Sequence, residues 1–209
     1  MNYLAHIYLA RHSDDAMLGA LLGDFVKPQL DALYTPEIAA EIMTHRKIDS
    51  FTDSHPVVLE AKALFPGPSR RYAGILLDVF YDHLLARNWA QYATPPHDTA
   101  LDPFIARFYR VLAANAALLP ERLAQAAPYM IAQDWLGSYR DYAGVEVAIA
   151  RMSTRLSRNG EVMRAGLADL AANYGQLQAG FDLFFPELIA FVAQRRAQPL
   201  ALPARPALA

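Results

Sequence analysis

Residues 74–85 read GILLDVFYDHLL, and the fold class turns on how this stretch is read. Ile75, Leu76, Leu77, Val79, Phe80, Leu84 and Leu85 surround Asp78 and Asp82, which stand four apart and so share one face of a helix. The spacing predicts a helix from Arg71 to Tyr92. Outward from it, Ala, Leu, Met, Arg and Gln dominate, and runs of alternating β-branched and polar residues are almost absent, so helices are expected throughout. The expected fold class is all-α.

Prolines punctuate the pattern. Between them the sequence predicts helices at Asn2 to His12, Asp14 to Val26, Pro36 to Phe51, Pro56 to Leu64, Arg71 to Tyr92, Pro103 to Leu119, Pro120 to Ala132, Ser138 to Arg158 and Val162 to Ala193. Ser13 before Asp14, Thr35 before Pro36 and Asp102 before Pro103 are the expected N-caps. The polar, proline-rich stretch Thr94 to Thr99 reads as a surface connection rather than a domain boundary. One domain over residues 1–195 is expected, with a flexible Pro/Ala-rich tail at 196–209.

A chain of 209 residues that is 54% hydrophobic can bury a sizeable single core. With 19 Lys and Arg against 21 Asp and Glu, no global charge favours nucleic acid or an anionic membrane. The longest apolar runs fall short of the ~20 residues that span a bilayer, and the start does not read as a secretory signal. The absence of cysteine excludes disulfides, thiolate zinc sites and a cysteine nucleophile. Cytoplasm is the expected location, with no nucleic-acid or membrane partner.

Acidic and histidine residues crowd the first 83 positions. In MTHRKIDSFTDSHP, residues 43–56, His45 and Asp49 are four apart and Asp53 continues the stripe, while Pro56 disfavours helix at His55. An imidazole with several carboxylates is a natural set for Mn2+, Fe2+ or Zn2+. Asp78 and Asp82 in their apolar setting require pairing, protonation or a metal. At ~4 Å and an effective dielectric of 20, two like charges repel by about 4 kcal/mol, so converging carboxylates call for a cation. Asp24 follows Gly19 and Gly23, whose simplest use is close helix packing.

Each feature has a plainer reading. His45 with Asp49 is also an ordinary i,i+4 pair on a solvated face, Asp24 with Lys27 a helix-end pair, and His6 a satisfied core histidine. Arg151, Arg155 and Arg158 follow a four-and-three spacing that predicts a cationic stripe, or else a solvated helix face. The joint occurrence of three groups in one helical domain favours a metal site.

Taken together, several motifs resemble the acyl carrier protein phosphodiesterase family. They are Met1 to His6, Leu22 to Val26, His45-Arg46 with Ile48-Asp49, Thr52 to Pro56, Arg71 to Ile75, Asp78 with Asp82-His83, and Asp134 to Leu136. That family is similar to the HD-type phosphohydrolases, so the resemblance implies a single-domain HD-like helical bundle. It also implies hydrolysis of the phosphodiester joining 4′-phosphopantetheine to a serine of holo-acyl carrier protein. Manganese is the implied metal, with Fe2+, Mg2+ or Zn2+ as alternatives.

The resulting expectation is a divalent cation on Asp24, His45, Asp49, Asp78 and Asp82 or a subset, with His6 and Asp53 as secondary candidates. It would activate water and polarise a phosphoryl oxygen. His55 or His83 would protonate the leaving serine oxygen, and Arg46 or Arg71 would offset phosphoryl charge. Arg151, Arg155 and Arg158 would dock the acidic carrier. The competing expectations are an HD-type phosphohydrolase acting on a nucleotide or other small phosphoester, and a non-enzymatic helical interaction module.

Overall fold

A computed structural model describes residues 1–27, 33–93 and 100–197. It is an all-α single domain, as expected. The α-helices are α1 (Tyr3–Leu9), α2 (Asp14–Leu22), α3 (Pro36–Ser54), α4 (Pro56–Ala63), α5 (Ala73–Arg87), α6 (Trp89–Tyr92), α7 (Leu101–Ala114), α8 (Glu121–Ala132), α9 (Trp135–Ser138), α10 (Tyr142–Thr154), α11 (Gly160–Ala172) and α12 (Tyr174–Ala197). No helix among the described residues is long and apolar enough to cross a membrane.

Two caps stand where the sequence places them. The Ser13 hydroxyl accepts from the Ala16 N–H, and the Thr35 hydroxyl from that of Ile38. Asp102 is not a cap: α7 begins at Leu101, so Asp102 lies in its first turn, where its charge suits the helix dipole. The expected helix Val162 to Ala193 is two helices, interrupted at Asn173, whose amide donates to the Asp169 carbonyl at 2.9 Å. Pro186 lies inside α12 without ending it.

The other end of α12 reaches into the stretch expected as tail. The helix runs to Ala197, and Arg196 donates to the Leu9 carbonyl and pairs with the buried Glu41. The rest of the expected tail and the connection at 94–99 lie outside the described residues.

α5 runs through the centre, with Phe80, Tyr81, Leu84 and Leu85 fully enclosed, and packs against α1, α10 and α11. Phe181, Phe184 and Phe185 of α12 close the core on another side. Among the described residues the most extensive helix packing is α2 on α3. Its intimacy depends on the glycines the sequence offers: a Cβ at Gly19 would come within 2.6 Å of the Ile38 carbonyl oxygen, and one at Gly23 within 2.2 Å of the His45 ring. Gly23 thus makes room for a site residue as well as for a helix.

Candidate metal centre

The cluster is assembled from α1, α2, α3 and α5. His6 projects from α1 into a buried position, and its ring lies flat on that of His45 from α3, centroids 3.7 Å apart and planes 15° from parallel. His45 Nδ1 is 2.7 Å from the Ala20 carbonyl, which fixes Nδ1 as the protonated nitrogen and turns Nε2 toward the cluster. There Nε2 meets Asp49 Oδ2 at 3.2 Å and Asp24 Oδ1 at 3.4 Å. His6 Nε2 meets the other Asp49 oxygen at 3.1 Å.

Asp78 of α5 completes the acidic edge: its Oδ1 lies 3.0 Å from the Met1 amino nitrogen, which is 3.6 Å from Asp49 Oδ1. The imidazoles are 1% and 2% exposed, whereas the side chains of Asp24, Asp49 and Asp78 are 43%, 39% and 39% exposed. The nitrogens therefore form the floor and the carboxylates a mouth open to solvent.

Electrostatics follow from this packing. Burial pushes His6 down, to about 4, with the neighbouring His45 charge acting the same way. Burial also works against a charged His45, but the hydrogen bonds that Asp24 and Asp49 accept from it outweigh this and raise the ring to about 9. Burial would raise Asp49, yet His45 and His6 hold it well below the usual carboxylate range. The two facing imidazoles are thus pushed in opposite directions, and the carboxylates attract any available positive charge.

The donor set fits a divalent cation. His6, His45 and Asp49 each offer one ligand atom, all within 4.8 Å of one another. Among the described residues, the buried His6 Nδ1 has no hydrogen-bond partner. Two imidazole nitrogens with carboxylate oxygen suit Mn2+, Fe2+ or Zn2+ better than Mg2+, which takes oxygen ligands.

The remaining expected site residues are placed elsewhere. Asp82 is fully buried, but its two oxygens accept the N–H groups of Leu4 at 2.8 Å and Ala5 at 3.0 Å. Those are the free donors in the first turn of α1, whose N-cap, Asn2, supplies no side-chain cap bond. Asp82 thus caps α1 from a distant helix. Burial still pushes its carboxyl up to about 7 against the pull of the two N–H groups.

His83 leaves the cluster for another network. Its Nδ1 donates to the Tyr139 carbonyl at 2.8 Å, and its Nε2 meets the Tyr174 hydroxyl at 2.8 Å, which also accepts from Arg87. His55 Nε2 lies 3.2 Å from Glu187 on α12, and Asp53 is bound by Lys62 at 2.8 Å. Arg46 donates to the Val26 carbonyl, and Arg71 lies over the Tyr72 ring. Of the expected arginine stripe only Arg151 is helical: α10 ends at Thr154, so Arg155 is its C-cap and Arg158 lies beyond. His6, placed second by its lone position on an apolar face, is central. Its signal in the sequence was only that α1 is otherwise apolar.

The family of acyl carrier protein phosphodiesterases matches residues 1–188. The chain belongs to this family. The acyl carrier protein phosphodiesterase of Salmonella dublin is 35% identical over 195 residues, covering 93% of this chain and 99% of its own length. That of Pectobacterium atrosepticum is 35% identical over 189 residues, covering 90% and 96%. No solved structure matches the chain. The phosphodiesterase match thus spans all four helices that build the cluster.

Proposed function

We propose that the chain is a metal-dependent phosphodiesterase that removes 4′-phosphopantetheine from the serine of a holo-acyl carrier protein, giving apo-carrier and free 4′-phosphopantetheine. The observation that carries this reading is the convergence of His6, His45 and Asp49 on one point, in a chain of that family. Family membership sets aside the non-enzymatic module. A carrier-protein substrate puts the expected site of action in the cytoplasm.

A divalent cation held by His6, His45 and Asp49, with Asp24 and Asp78 beside them, supplies Lewis acidity at a phosphoryl oxygen and makes water more acidic; Mn2+ is the first expectation. The chain's own part is positional. The Ala20 carbonyl fixes the His45 tautomer, Asp82 fixes the start of the helix that carries His6, and the ring stack holds both imidazoles in register. Asp24 and Asp78, at the solvent-facing mouth, are placed to take a proton from water. In the balance, the water oxygen joins phosphorus, the phosphorus bond to the serine oxygen breaks, and one proton ends on that serine.

The test is to incubate the Mn2+-loaded protein with holo-carrier and weigh the carrier. Loss of the phosphopantetheine mass is the expected result. A carrier of unchanged mass, with a small phosphoester cleaved in parallel, would replace this reading by the small-substrate one.

A further inference from the structure

Beside the cluster, on the side of Tyr3, lies a cavity of about 320 Å3 lined by Tyr3, Phe25, Met130 and Trp135, with Arg122 and Arg155 among its walls. A narrower cleft continues from it past Tyr139 and Met152 to Arg151, sharing Tyr3, Trp135 and Arg155. Tyr3 joins this groove to the metal centre. It stands three residues before His6, and its ring stacks on Phe25, the neighbour of Asp24, at 6.3 Å between centroids. Its hydroxyl, pushed up to about 12 by burial, senses Asp24 on one side and Arg155 and Arg122 on the other.

Arg122 and Arg155 are exposed, and among the described residues neither forms an ion pair with a carboxylate. Two cations that arrive from different elements, α8 and the end of α10, and share one cavity are an arrangement for an anion rather than for internal stability. The apolar walls beyond, with the Arg151 guanidinium over the Trp135 ring at 5.5 Å, suit an extended arm of amides and methylenes.

We propose that this groove is the subsite for the prosthetic group: Arg122 and Arg155 hold the phosphate end of 4′-phosphopantetheine, and the Trp135 walls hold its pantetheine arm. This rests on the proposed activity. It adds which residues grip the prosthetic group once, and before, it is cut, and it reassigns Arg155 from a docking stripe to a phosphate contact.

Binding can be read without turnover. The chain has two tryptophans, Trp89 buried in the core and Trp135 in the groove. Free 4′-phosphopantetheine added to the Mn2+-loaded protein should change the fluorescence of Trp135, and Trp135→Phe should remove the change. In the double variant Arg122→Gln/Arg155→Gln, affinity should fall by about tenfold or more, since each lost contact is a charge-assisted hydrogen bond. Mn2+ affinity should stay the same. Pantetheine without the phosphate should bind the wild type weakly and ignore the two substitutions.

Phosphopantetheine affinity equal in wild type and double variant, or no binding to either, overturns the subsite. The mass assay on holo-carrier keeps the two readings apart. Arginine-dependent binding beside an uncut carrier would leave the groove standing and remove the activity, whereas a cut carrier with arginine-independent binding would do the reverse.

Discussion

The rings of His6 and His45 lie face to face at 3.7 Å, although they come from helices that are far apart in the chain. Two imidazolium ions at that distance would repel strongly in a buried setting, so the stack is stable only with at most one positive ring or with both nitrogens turned to a cation. The carboxylate common to both is Asp49, which meets each ring with a different oxygen.

Replacing that shared carboxylate tests the centre. Asp49→Asn keeps the shape but halves the acceptor capacity toward the rings. Mn2+ binding measured by calorimetry should weaken by at least about 100-fold, with removal of the prosthetic group falling in step. An undiminished Mn2+ affinity would mean that the cation is held elsewhere.

Asp82 should behave differently. In Asp82→Asn one amide nitrogen must face a backbone N–H of α1, leaving a buried donor unsatisfied, so urea unfolding should show a loss of about 1–3 kcal/mol. Mn2+ should still bind one site. Loss of metal binding with unchanged stability would restore Asp82 as a ligand.

Gly23→Ala examines the packing beneath the centre. Its methyl group would meet the His45 ring at 2.2 Å, so the ring or the helix must move. A stability loss of about 1–3 kcal/mol is expected from the overpacking, together with weakened Mn2+ binding. Gly74→Ala is the control, since its nearest neighbour is the flexible end of Lys62 at 3.7 Å.

His83 contributes to the pH dependence of stability from outside the metal centre. Burial, the largest influence on His83, pushes its pKa below the ordinary 6.5. The unfolded chain therefore takes up the proton more readily, so this contribution is fully present above pH 6.5 and is lost as pH falls below it. Unfolding free energy followed from pH 8 to pH 5 should fall more steeply for the wild type than for His83→Gln. Parallel profiles would show that His83 titrates alike in both states.

Much of this was legible in the chain. Helix content follows from composition, the caps Ser13 and Thr35 from residue type, and the pair His45 with Asp49 from spacing alone, because an i,i+4 relation survives whatever the tertiary fold. What the sequence leaves open at Asp82 and His83 has one cause. An apolar setting around Asp82 and His83 announces that each needs a partner, but not whether that partner is a cation, a peptide N–H or a tyrosine. Both were answered by backbone and hydroxyl groups from helices distant in sequence. His6 was undervalued for the same reason, since its significance lies in a ring 39 positions onward. The break at Asn173 carried no proline, and Arg155 and Arg158 kept a helical spacing after the helix had ended.

Arg196 gives the far end of the chain a consequence for its beginning. By gripping Glu41 and the last turn of α1, it works as a clasp that ties α12 to α3 and α1. A protein shortened after residue 195, at the boundary composition suggests, would strand an enclosed carboxylate and loosen the helix that bears His6. Trimming for crystallisation should therefore stop no earlier than Ala197.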